Sequence, residues 1–187
     1  LEAASVAGIE LCDATLAHAL EIPLEEVDER CRELTRRSVF LARAGDFDWP
    51  DGTAGRRYVF RHALYPEVLY EGIALGRRIA LHHRIAERLE RGHAGATDAL
   101  AAELATHFER GRDRARAVVY LVAAARNASR RQAFEEAIAS LRRATGLLAT
   151  LPESPERHRQ ELEIRMALAP MLMTTRGYAA PEAEEEY

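Results

Sequence analysis

The sequence contains no lysine, so all 26 of its basic residues are arginines. A Walker-type phosphate-binding loop requires Gly-Lys-Ser/Thr at its end, and this chain therefore cannot hold or hydrolyse ATP by that route. Cysteine occurs twice, at Cys12 and Cys31, which is too few for a disulfide scaffold or a zinc site. Both cysteines lie on apolar stripes, and we interpret them as small core residues. No catalytic motif is found, and no cofactor or metal is expected within this chain.

Long hydrophobic runs are also missing. No apolar segment approaches the roughly 20 residues of a membrane span, and no charged-then-apolar leader opens the chain. These absences favour a cytoplasmic protein with no membrane partner. The net charge of −4 argues against a protein that coats nucleic acid non-specifically. Aromatic residues make up 6%, whereas alanine occurs 35 times, which favours close-packed helices over strands.

Both ends of the chain have the character of internal sequence. The first residue is Leu1, and Ala183–Tyr187 ends without the Gly, Asn or basic residues that close a helix. We therefore interpret the chain as a piece of a longer protein, truncated within its C-terminal repeats.

Residues 1–76 have the pattern of a winged-helix module. Asp13 is predicted to cap a helix through Leu20, and Pro23 opens a second helix that ends near Arg37. This second helix carries an apolar stripe of Leu24, Val27, Cys31 and Leu34. Two short strand-like runs, 39–44 and 57–61, flank turn formers at 45–55, which predicts a β-hairpin with a long tip. Short helices followed by such a hairpin are typical of a winged helix.

The rest of the chain is predicted to be helical. A helix over 62–73 is followed by a connecting helix at 77–95, whose inward stripe is Leu81, Ile85 and Leu89. Helices at about 97–110, 114–129, 132–150 and 156–175 then form a domain over residues 96–187. The predicted fold is thus mainly α: a winged-helix-like module with one β-hairpin, followed by a tetratricopeptide-like helical-hairpin solenoid.

The solenoid prediction depends on a spacing of small and large residues. Small residues are needed where antiparallel helices cross closely, and large ones fill the groove beside them. The residues concerned are Leu104, Ala105, Phe108, Ala117, Leu121 and Ala124, with a second match at Ala125 and Ala128 followed by Ala137, Leu141 and Ala144. The two matches share one helix, so the first helix of each repeat is left open. A plain helical bundle with alanine-rich contacts is the alternative.

Four segments carry a family resemblance: RYVFRHALYPEVLYE at 57–71, HHRIA at 82–86, ELATHF at 103–108 and TRGYAAPE at 175–182. With them the chain resembles STAND-class bacterial regulatory ATPases, which are often fused to cyclase, kinase or LuxR-type DNA-binding domains. The resemblance covers essentially the whole chain. It implies an upstream ATPase domain that binds ATP or ADP, followed by a winged helix and tetratricopeptide-like repeats. It also implies a protein or small-molecule inducer bound by the repeats.

The resemblance gives one residue a role. A histidine at the junction between hairpin and helix approaches the β-phosphate of ADP in STAND proteins, and His62 matches it, preceded by Arg61. The segment departs from the family's Met-His-Asp form, since Arg61 and Ala63 flank the histidine. The alternative is that His62 caps the helix that follows.

Three functions remain open, of which the last is a structural scaffold with no ligand of its own. The first is a non-catalytic regulatory segment that couples a nucleotide switch to a helical-repeat sensor. The second is a DNA-binding winged-helix regulator with an appended helical domain. The helix at 24–37 carries five acidic and four arginine residues, and phosphate repulsion at that face disfavours nucleic acid. Adjacent His82 and His83 diverge by about 100° on a helix and cannot chelate one ion together.

Overall fold

The structure, a computed structural model, describes residues 1–176. It is mainly α-helical, as predicted, with a small antiparallel sheet. The chain divides into two compact units, one of Leu1–Thr97 with Arg110–Arg112 and the other of Asp98–Glu109 with the chain from Asp113. The C-terminal segment Ala183–Tyr187 and all but the first two residues of the motif at 175–182 lie outside the described residues.

The first unit has the element order and sheet of a winged helix. Its elements are α1 (Glu2–Ala7), β1 (Glu10–Cys12), α2 (Asp13–Leu20), α3 (Leu24–Arg36), β2 (Leu41–Asp48), β3 (Ala54–Phe60), α4 (Leu64–Glu71) and α5 (Leu75–Gly92). The strand order is β1-β3-β2, with Leu11 of β1 and Arg43 of β2 both paired to Tyr58 of β3. Sequence reasoning missed β1, because three residues are too few to show a period and the strand is held by its pairing with β3.

The hairpin strands are longer than predicted. The turn formers at 45–55 predict a long tip, but Gly45–Asp48 belong to β2 and Ala54–Gly55 to β3, so the loop covers only 49–53. A bulge between Arg43 and Gly45 accommodates the extra residue, with Gly45 at a φ of 119°. The Asp51 carboxylate accepts a hydrogen bond from the backbone N–H of Thr53 (2.9 Å) and closes the turn.

Asp13 differs from its predicted role as a helix cap. It is the first residue of α2 and only 3% exposed. Its carboxylate accepts from the backbone N–H groups of Ala14 (2.7 Å) and Arg56 (2.9 Å). Asp13 therefore ties the start of α2 to β3, a contact across the unit that spacing along one helix does not reveal.

Two further helices of the first unit depart from their predicted limits. The helix predicted over 62–73 is α4, eight residues long, and it begins two residues after His62. The predicted connecting helix is α5, which packs against α1 and α2 within the first unit. Its predicted inward residues Leu81, Ile85 and Leu89 are all buried.

The second unit is a stack of helices. After a short 3-10 turn at Thr97–Leu100 come α6 (Ala101–Arg110), α7 (Arg114–Arg130), α8 (Phe134–Leu148) and α9 (Pro155–Arg176). Helix α7 packs along α8, and α8 along α9. These bounds lie within a few residues of those predicted, which confirms the helical-hairpin architecture.

The turns before α7 and α8 share one geometry. Each preceding helix ends at a left-handed residue, Arg112 (φ 63°) or Gln132 (φ 62°). The next backbone N–H donates to the carbonyl five residues back, from Asp113 to Phe108 and from Ala133 to Ala128, both at 2.9 Å. This is the Schellman ending, in which glycine is the usual left-handed residue.

Candidate functional site

His62 lies at the junction between β3 and α4, with its side chain exposed. Its Nδ1 accepts a hydrogen bond from the backbone N–H of Leu64 (3.2 Å), and its ring lies 5.7 Å from that of Tyr65. Because Nδ1 accepts, the neutral ring carries its proton on Nε2. His62 thus satisfies a first-turn N–H of α4, as the capping alternative requires, and keeps Nε2–H as a further donor.

Arg61 is also exposed. Its backbone N–H donates to the carbonyl of Phe40 (2.9 Å), which fixes the end of β3 beside the start of β2. The structure thus places an imidazole donor and a guanidinium side by side in the chain at one exposed junction. Such a pair has the chemistry to bind an anionic oxygen.

Apolar side chains flank this junction. Ile9, Val39, Leu64 and Val68, which we call the junction surface, are 52%, 49%, 56% and 69% exposed. The carbonyl of Ile9 accepts from the backbone N–H of Phe60 (2.9 Å), so the chain before β1 lies next to the end of β3. Leu64 and Val68 are one helical turn apart and share a face of α4. Exposed apolar residues grouped in this way mark interaction surfaces more often than isolated ones.

The tip of the hairpin is buried against the C-terminal end of α5. Trp49 is 3% exposed, and the guanidinium of Arg88 lies 4.0 Å from the centre of its ring. Arg88 also pairs with Asp51 (2.7 Å), and the Asp51 backbone N–H donates to the carbonyl of Gly92 (3.2 Å). The ring of His93 lies 4.9 Å from that of Trp49. We call this set of five residues the tip contact.

The Asp51 carboxyl is strongly acidic in this setting. The backbone N–H of Thr53 and then the guanidinium of Arg88 lower its pKa to about 2. Sequence reasoning missed the tip contact, since it treated Trp49 as part of a loop. A tryptophan among turn formers was the signal, because so large an apolar side chain usually requires a packing partner.

A second ionic cluster joins α3 to the sheet. The Asp28 carboxylate accepts from Arg56, from Arg32 (2.8 Å) and from the Tyr58 hydroxyl (3.3 Å). The hydrogen bond from Arg56 is the main reason that the pKa of Asp28 is lowered. Burial is the main reason that the pKa of Tyr58 is raised, to about 12. Asp28 is therefore a structural anion that ties α3 to β3.

An acidic groove adjoins this cluster. A cavity of about 430 Å³ lies between α3 and the hairpin, and five of its lining residues are acidic. They are Asp13, Glu25, Asp28, Asp46 and Asp48. Arg43 and Arg56 line it as well, so five carboxylates face two guanidinium groups, and this excess of negative charge disfavours a phosphate backbone there.

The predicted repeat residues are all buried. Leu104, Phe108, Ala117, Ala137 and Ala144 are fully buried, and the others are at most 7% exposed. Most belong to one hydrophobic core shared by α6, α7, α8 and α9. Phe108 stacks on Tyr120 with ring centres 5.6 Å apart. These residues hold the helices together and are not positioned to contact a ligand.

The two cysteines are buried and form no disulfide. Burial raises the pKa of Cys31 to about 11, so its reactive thiolate is disfavoured. Within residues 1–176, no group of histidine, cysteine or acidic residues is arranged to hold a metal ion. The same part of the chain contains no helix with the length and apolar character to cross a membrane.

No protein-family model and no solved structure matches the chain. Over 132 residues the chain is 34% identical to an uncharacterized protein of Rhizobium meliloti (strain 1021). The match covers 70% of this chain but only 13% of the length of that relative.

Proposed function

We propose that the chain is a non-catalytic regulatory segment of a multidomain, cytoplasmic signal-transduction ATPase of the STAND class. In this proposal the winged helix couples an upstream domain that binds ATP or ADP to the helical hairpins. The hairpins act as the sensor and bind a protein or small-molecule inducer.

The tip contact is the observation that carries this proposal. A winged helix that reads DNA presents α3 and its hairpin to the duplex. Here Trp49 and Asp51 contact Arg88 of α5 instead. In addition, five of the residues that line the groove beside α3 are acidic. Both features favour a module that packs within a larger protein over one that reads DNA.

The chemistry at His62 supports a link to a nucleotide. An exposed Nε2–H beside Arg61 suits a phosphate oxygen of ADP, which accepts charge-assisted hydrogen bonds. The junction surface offers apolar area beside it, where an adjoining domain would dock. The match covers 13% of the length of the Rhizobium relative, which is the coverage expected if this chain corresponds to one segment of a long multidomain protein.

The test uses the full-length protein loaded with ADP. Replacing His62 with alanine removes one hydrogen bond to a charged group, worth about 1.5–3 kcal/mol. Since only the ADP-bound closed state makes this contact, we expect ADP release roughly 10–100 times faster, with output activity in the absence of inducer. His158→Ala, at an exposed histidine of α9, is the control and should leave release unchanged.

The capping alternative predicts a different result. If the only role of His62 is to accept the hydrogen bond from the Leu64 N–H, His62→Ala lowers the melting temperature and leaves the rate of ADP release unchanged. Release and thermal stability measured on the same variant separate the two roles, and unchanged release would reject the sensing role.

A further inference from the structure

The first backbone donors of α4 are used by His62. The backbone N–H of Leu64 donates to Nδ1 of His62 (3.2 Å), and that of Tyr65 donates to the His62 carbonyl (3.1 Å). Pro66, the third residue of the helix, has no N–H. The first three residues of α4 therefore offer no free backbone N–H to an anion. A ligand at this helix start would be bound by side chains, and Nε2–H is the donor that the imidazole retains.

One hydrogen bond does not fix the orientation of an exposed imidazole. The bond from Leu64 holds Nδ1, but the terminal torsion of a histidine side chain has broad minima, so the ring can still tilt about the bonded atom. The ring of Tyr65 restricts this tilt. Its centre lies 5.7 Å from that of the His62 ring, at an angle of 52° between the planes, which is within the range of attractive aromatic pairs.

Tyr65 is held in place by a third ring. Phe40, directly before β2, packs edge-to-face on Tyr65 with ring centres 5.1 Å apart, and both residues are half-buried. The Phe40 carbonyl accepts from the backbone N–H of Arg61 (2.9 Å), the residue before His62. Phe40, Tyr65 and His62 thus form a row of rings in which two half-buried members support the exposed one.

We propose that Tyr65 is a positioning residue of the nucleotide site at His62. Tyr65 does not contact the ligand; it holds the imidazole in one orientation, so that Nε2–H is already ordered when a phosphate oxygen of ADP arrives. A side chain ordered before binding loses less entropy on binding. This inference deepens the proposed function and rests on it, because it requires ADP to bind at His62.

The experiment measures ADP release from the full-length protein. Tyr65→Leu removes the ring but keeps an apolar side chain of good helix propensity. We expect release to become about three- to tenfold faster, which corresponds to the cost of ordering one side chain on binding. Tyr65→Phe keeps both ring contacts and should release ADP at the unchanged rate. The matched control is Tyr70→Leu in the same helix, where the tyrosine contacts His82 instead; its release should stay within twofold.

A double-mutant cycle distinguishes positioning from a general contribution to stability. If Tyr65 acts through His62, Tyr65→Leu has no further effect on ADP release in the His62→Ala background, whereas an independent contribution would add its full effect there. NMR relaxation of the His62 ring, measured on this chain without nucleotide, gives a second readout. We expect larger ring motion in Tyr65→Leu than in Tyr65→Phe.

Three results would overturn the inference and leave the proposed function in place, provided that His62→Ala speeds ADP release. They are an unchanged release rate in Tyr65→Leu, a full additional effect of Tyr65→Leu in the His62→Ala background, and unchanged motion of the His62 ring in Tyr65→Leu. If His62→Ala itself leaves release unchanged, the sensing role of His62 and the positioning role of Tyr65 are both rejected.

Discussion

Gly92→Ala tests the tip contact directly. Gly92 is the last residue of α5, and a Cβ added there would lie 2.3 Å from Cε3 of Trp49 and 2.6 Å from Nη1 of Arg88. Trp49 cannot easily move away, since Arg88 covers its ring at 4.0 Å and His93 lies 4.9 Å from it. We therefore expect that even the methyl group of alanine at position 92 displaces Trp49.

Helix propensity alone predicts the opposite effect on the free energy of unfolding, a gain and not a loss. Exchanging glycine for alanine in a helix interior gains up to about 1 kcal/mol, and less at a helix end. Overpacking of a filled site costs about 1–3 kcal/mol. We expect the packing cost to prevail, so that Gly92→Ala lowers the free energy of unfolding by about 1–2 kcal/mol. Gly76→Ala in the same helix is the control: its added Cβ meets no atom within 4 Å, and we expect no loss and up to about 1 kcal/mol of gain.

The assay is urea unfolding followed by tryptophan fluorescence. Trp49 is the single tryptophan of the chain, so its emission reports on the first unit alone. A displaced, solvated indole should shift the native emission of Gly92→Ala to longer wavelength, whereas Gly76→Ala should leave it unchanged. If Gly92→Ala gains stability as the control does and keeps its emission, the described tip contact is wrong.

Two further predictions concern the repeat core and pH. Ala117 is fully buried in α7, so Ala117→Leu should cost about 1–3 kcal/mol by overpacking. Ala115→Leu, exposed on the same helix, should change stability by about 0.5 kcal/mol or less; equal effects in thermal melts followed by circular dichroism would contradict the repeat packing. The pKa of Asp51 is about 2 in the folded state, below the 3.8 of a free aspartate side chain, so its stabilisation is present above pH 3.8 and is lost as the pH falls toward 2. Trp49 emission should follow this loss, and an unchanged acid transition in Asp51→Asn would refute the assignment.

Helix positions were predictable because their signals are local. The spacing of Leu81, Ile85 and Leu89 places one face of α5 in the core, and all three are buried. In the same way, the alternation of small and large residues along α6, α7 and α8 identified buried positions such as Phe108 and Ala137. A period of 3.6 residues can be read from neighbouring positions without knowledge of the rest of the fold.

Sequence reasoning was least accurate where stability comes from partners far along the chain. The strand β1 has three residues and is held in place by pairing with β3, whose partner residues lie 45 to 49 positions later. The turn formers around Gly45 indicated a loop, yet they form a bulge within β2. A local signal cannot distinguish a bulge from a turn, because the difference is whether a partner strand continues alongside.

The candidate sites show the same difference between local signals and contacts made over a long sequence separation. The exposed junction at His62 follows from its position between a strand pattern and a helix pattern, so the amino-acid sequence alone determined where that imidazole lies. Tertiary structure decided the pairing of Arg88 with Asp51, 37 residues apart, and that of Arg56 with Asp28, 28 residues apart. Residues so far apart along the chain form no periodic pattern, and only the packing of α3 and α5 against the hairpin brings these opposite charges into contact.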